Sequence, residues 1–106
     1  MRTVWKYTLT PEVALRIEGG DPRVVHVGVD PFWLTKGLPE RLECNVPSVW
    51  VELDPDGGDH ITLTFIGTGH PAPGGRYDRH VGSCATPAGL VWHVYEIDRQ
   101  VRQFRG

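Results

Sequence analysis

Five histidines, at 26, 60, 70, 80 and 93, together with the run Gly82-Ser83-Cys84, are the residues of this chain whose types could do chemistry. Imidazoles hold metals or move protons near neutral pH, and a serine or cysteine beside one becomes a nucleophile. Spacing gives these roles little support. No His-x-His or HExxH pattern occurs, Gly-x-Ser-x-Gly is absent, and no helical pattern follows Ser83 to build a nucleophile elbow. The commoner fate of such histidines is a neutral ring satisfied by hydrogen bonds. A metal-dependent hydrolase in which His70, His80 and His93 converge is therefore the alternative reading.

The most distinctive motif is Gly67-Thr68-Gly69-His70-Pro71. Glycines let backbone amides approach a ligand closely, and successive N–H groups can cradle an anion. The phosphate fingerprint Gly-x-Gly-x-x-Gly is not completed, because its sixth position is Ala72. The plain alternative is a wide loop whose glycines serve sharp bends. Gly67, Thr68, Gly69 and His70, with Arg76 further along the glycine-rich segment, are the candidate ligand contacts.

Cys44 and Cys84 lie far apart with no CxxC and no Cys/His cluster, so no metal spacing exists and no cofactor is expected. In a reducing compartment both read as small hydrophobes. Phe32 and Trp33 stand in an irregular stretch, 30–45, broken by Pro31, Gly37 and Pro39. There they fold back as a lid or meet another chain. Trp50 alternates with Val49, Val51 and Leu53, hence points to the opposite face. It is either a partner-binding anchor, like Phe32 and Trp33, or covered by a second sheet.

Period-two alternation supplies the elements that must position these residues. Trp5, Tyr7 and Leu9 form one stripe; Val13, Leu15 and Ile17 form a second. Val24-Val25-His26-Val27-Gly28-Val29 is β-branched nearly throughout and reads as a central strand. Val49, Val51 and Leu53 precede Asp54-Pro55-Asp56-Gly57-Gly58-Asp59, after which Ile61, Leu63 and Phe65 alternate with threonines. That segment predicts a hairpin pairing the two strands. A strand around 79–85 and a second central run at 90–97 complete about seven. The expected fold is all-β, a small antiparallel sandwich or partly open barrel.

With 106 residues, 40% of them hydrophobic, the chain suits one domain. No apolar run approaches the ~20 residues of a spanning helix, and no secretory leader pattern follows Met1, so a cytoplasmic location is expected. The net charge of −2 is uneven. Residues 1–98, the β domain, carry eight Lys and Arg against thirteen Asp and Glu, while the tail 99–106 holds three arginines and no acid. Three arginines release few counterions, so nucleic acid is a poor partner.

Four segments together carry a resemblance: Thr3-Val4-Trp5-Lys6-Tyr7; Val46 through Pro55 with its Trp50 and Asp54-Pro55; Phe65-Ile66-Gly67-Thr68-Gly69-His70-Pro71; and Trp92-His93-Val94-Tyr95-Glu96. In this order they resemble a small uncharacterised family drawn largely from bacteriophages and prophages. The resemblance covers most of the chain and departs at 31–45 and in the arginine tail. It implies phage origin and little mechanism. The rigid β scaffold, the glycine-rich loop, the aromatic insertion and the lack of an assembled catalytic set then lead to the expected function: an accessory protein without catalysis, acting in the host cytoplasm on a host protein or a small signalling ligand, with pairing of copies as a further option. A virion-associated structural module is the remaining alternative.

Overall fold

The computed structural model describes residues 1–10, 13–29, 46–72, 79–86 and 89–100. Alternating sequence becomes seven strands: β1 (Thr3–Thr8), β2 (Leu15–Glu18), β3 (Gly20–Gly28), β4 (Ser48–Asp54), β5 (His60–Gly67), β6 (Arg79–Ala85) and β7 (Val91–Gln100). They form two antiparallel sheets, one ordered β1-β4-β3 and the other β2-β5-β7-β6. The described residues contain no helix. The all-β antiparallel fold read from the alternation, a small sandwich or partly open barrel, is the observed class, built as two sheets with no closed barrel among the described residues.

The core lies where the inner stripes of the two sheets meet. Val49, Val51 and Leu53 from the first sheet face Ile17, Ile61, Leu63 and Val94 from the second, with Leu9 beside them, and all are buried. Each such side chain contributes roughly 1.5–3 kcal/mol through its removal from water. Tyr7, Leu15, Val24, Val27, Phe65 and Val81 pack around this cluster.

Two expectations fail. The segments on either side of residues 54–59 do not pair: β4 lies between β1 and β3, whereas β5 lies between β2 and β7. Both strands carry a strong apolar stripe, and the stripes bury best against each other from opposing sheets about 10 Å apart, a gap that a two-residue turn cannot cross. The five-residue connection 55–59 crosses it. Asp54 accepts bonds from Asp56 N at its side chain and from Gly57 N at its carbonyl, both at 3.0 Å. The β2–β3 connection makes the same crossing alongside, and Gly57 lies so close that a Cβ there would sit 2.2 Å from Gly20 Cα. Asp59 joins the two crossings, its carbonyl accepting from Gly19 N at 3.0 Å and its Oδ2 from Asp21 N at 2.8 Å.

The second correction concerns β3, which is an edge strand. Val24 pairs with Val51 and His26 with Trp50, so Val25 is an extra residue in a bulge and is 52% exposed. The bulge returns Val27 to the face of Val24, and both pack on the core. The β-branched run is thus one bulged stripe, not a strand covered on both sides. For 90–97 the reading as a central strand holds, since β7 lies between β5 and β6.

Candidate functional site

Strand β5 ends at Gly67, opposite Trp92 near the start of β7. The chain then reverses over Thr68 and Gly69, with His70 N donating to Gly67 O at 3.2 Å. Gly69 adopts φ 90°, where a β-carbon is disfavoured, and open space surrounds it, so its glycine serves the turn. A second turn faces the first. Thr86 N donates to Leu90 O at 2.8 Å, Gly89 N to Thr86 O at 2.9 Å, and Leu90 N to Thr86 Oγ1 at 3.3 Å, with Gly89 at φ 84°.

Between the turns lies an open groove of about 370 Å³, lined by Gly67, Thr68 and His70 on one side and by Gly89, Leu90, Val91 and Trp92 on the other. The Trp92 ring is held edge-on by Phe65, with centroids 5.0 Å apart at 81°. Gly67 is the narrow point: a Cβ there would meet Trp92 at 3.2 Å and His70 at 3.4 Å. The groove offers an indole and two aliphatic side chains beside an imidazole and a hydroxyl. Such a mixture suits a small molecule with a flat apolar part and a few polar atoms.

A polar chain leads away from the groove across the outer face of the sheet. Thr68 Oγ1 lies 2.9 Å from His93 Nε2, His93 Nδ1 lies 2.7 Å from Ser83 Oγ, and Ser83 Oγ lies 2.8 Å from His80 Nε2. The His80 ring also packs edge-on against Tyr95 at 5.4 Å. Each hydroxyl both donates and accepts, so the chain can run in either direction with a matching choice of imidazole tautomers. In a Ser-His-Asp arrangement a carboxylate orients the imidazole and stabilises its charged form. Here Thr68, a neutral group, occupies that place.

A family model for a domain of unknown function, DUF7352, matches residues 1–104. The chain belongs to the DUF7352 family. No curated protein and no solved structure shows significant similarity to it.

In this DUF7352 domain the histidines are distributed as follows. His80 and His93 converge on Ser83, while His70 lines the groove instead of joining them. His26 packs on Trp50 at 5.0 Å, and His60, largely buried, bonds Asp98 at 3.1 Å. Among the described residues no group of three His, Cys, Asp or Glu side chains is placed to hold a metal ion. Cys84 is half-buried, and burial pushes its thiol pKa up, away from the reactive thiolate.

Of the candidate ligand contacts, Gly67, Thr68 and His70 come together in the groove and Gly69 shapes their turn. Arg76, Phe32, Trp33, Cys44 and the rest of 30–45 lie outside the described residues, as does the tail beyond Gln100. Trp50 is half-buried on the outer face of the first sheet, and the second sheet packs on the opposite face, that of Val49 and Val51. The groove wall at 89–92 was missed by the sequence reading. Its signal is present, however: a turn-forming Gly89 followed by two exposed aliphatic residues, Leu90 and Val91, at the mouth of a strand.

Proposed function

We propose that this DUF7352 domain is a non-catalytic binding protein of bacteriophage type, acting in the host cytoplasm, whose ligand is a small molecule with a planar apolar portion held in the groove between residues 67–70 and 89–92. One observation carries the reading: two glycine-shaped turns present Trp92, His70 and Thr68 around a single space of about 370 Å³. The order of sequence motifs supports phage origin. A net charge of −2 favours neither nucleic acid nor an anionic surface as partner. Between a host protein and a small ligand, the concave shape supports the latter, because protein interfaces of ordinary size are broad and nearly flat.

Cyclic and linear nucleotides are suitable first probes, since a base can lie on the indole while ring nitrogens or ribose hydroxyls meet Thr68 and His70. Ligand-observed NMR and thermal shift on the whole chain test this, with Gly67→Ala as the blocking variant. The expected result is saturation transfer to the base that Gly67→Ala abolishes. Binding unchanged in that variant, or no response from any planar probe in a broad library, overturns the reading.

A further inference from the structure

At the far end of β7 from the groove, charged residues scattered through the sequence meet between the sheets. Glu96 is 4% exposed and faces inward. Arg99 binds both of its carboxylate oxygens, donates to the Pro22 carbonyl at 2.6 Å, and lies 3.6 Å from Asp21. The Arg99 guanidinium is therefore committed to the fold, tying β7 to the start of β3. Arg79 is different. It reaches Glu96 by one long contact of 3.4 Å, to an oxygen that Arg99 also holds, and its side chain is 67% exposed. Arg23, equally exposed, lies against Asp21 at 2.9 Å.

Beside them lies an open depression of about 460 Å³ lined by Asp21, Arg23, Val24, Arg79 and Arg99. Three guanidinium groups line it against one carboxylate, that of Asp21, while Glu96 lies behind Arg99 and Asp59 on the Asp21 amide. The Asp21 carboxylate opposes an incoming anion, but Arg23 and Arg99 already engage both of its oxygens. Asp21 itself is held at φ 43° by Asp59 on its amide and by Arg2 on its carbonyl, the latter at 2.7 Å. That fixes where its carboxylate points.

We infer that this depression is a second binding site, for a phosphoryl-bearing anion gripped between Arg23 and Arg79 above the fixed Arg99. A guanidinium presents paired donors that match phosphate oxygens, and two of them neutralise a doubly charged group where a single carboxylate would leave one unmatched beside Asp21. The space exceeds one phosphate, and apart from Val24 its walls are polar. A diphosphate can therefore be accommodated. The site is independent of the groove, from which nearly the whole length of β7 separates it.

Inorganic pyrophosphate is the probe, with citrate as a polycarboxylate of comparable charge. In heteronuclear NMR titrations at low salt, pyrophosphate is expected to shift the amides of Asp21, Arg23, Val24, 79–81 and Arg99 and to leave 67–70 unmoved. Arg79→Gln and Arg23→Gln should each weaken binding about tenfold, the effect of losing a charge-assisted pair. Arg16→Gln, on β2 beside Glu18, should change it less than twofold. Because Arg23 and Arg79 are largely exposed, their variants should keep the wild-type melting temperature, so lost binding is not lost folding. No saturable shift at millimolar pyrophosphate, an equal loss in Arg16→Gln, or citrate binding as tightly as pyrophosphate overturns the proposal.

Discussion

The two ends of β7 are made of contrasting materials. Near Val91 the strand meets glycine-shaped turns, and at Gly67 a β-carbon would press on both Trp92 and His70. Near Gln100 the same strand carries Glu96 and Arg99 and meets Asp21, and the space there is framed by charge. At the first end backbone shape does the work, and one methyl group narrows the site. At the second side-chain charge does the work, and one missing charge leaves its partner unpaired. A single strand thus carries a site that is sensitive to volume and another that is sensitive to charge.

Glu96→Ala should produce the largest effect and is the hardest test of that contrast. It strips Arg99 of its buried partner, and a loss of about 3 kcal/mol is expected, read from the urea midpoint; the lower part of the usual range applies because Arg99 is partly exposed. A loss below about 1 kcal/mol, within the range of surface pairs, would mean that solvent screens the charged end. Next comes Gly82→Ala, midway along, where a Cβ would lie 2.5 Å from Val27 Cγ2 in the opposite sheet. Overpacking of this kind should cost about 2 kcal/mol in thermal unfolding. Gly67→Ala sharpens the comparison from the other side: stability should stay within about 0.5 kcal/mol while planar ligands are excluded.

The smallest effect is a pH response belonging to neither end. Burial raises the pKa values of Cys84 and Tyr7, so the folded chain keeps protons that the unfolded chain has already released. Their contribution is whole below the ordinary thiol and phenol ranges and is lost as pH rises through the raised values. Unfolding midpoints should therefore decline on the alkaline side, and Cys84→Ala should flatten the earlier part of that decline.

Much of the fold was legible because alternation is a local signal. The stripes Val49-Val51-Leu53 and Ile61-Leu63 are inward as read, and β7 is central as read. Which sheet each strand joins was not, since β4 and β5 satisfy their alternation equally well side by side or face to face. The polar sites were hidden by bulges. In a regular strand, residues three apart point to opposite faces. An extra residue, Val81, between His80 and Gly82 brings His80 and Ser83 to one face, and Ile97 does the same for Glu96 and Arg99. Neither bulge has a glycine or proline at its extra position to announce it. The groove was half legible: Gly67 and Gly69 mark one turn plainly, while its opposite wall is ordinary aliphatic sequence.

The order of strands also bears on how the chain acquires its shape during synthesis. In the second sheet β7 separates β5 from β6, so β6 has no hydrogen-bonding partner, and β5 has only β2 on one of its edges, until residues 91–100 have left the ribosome. Arg99 then fastens to Pro22, 77 positions earlier. Contacts of such long span close slowly. A nascent chain halted before β7 would display the uncovered edge of β5, an opening for chaperones to shield or for neighbouring chains to add to.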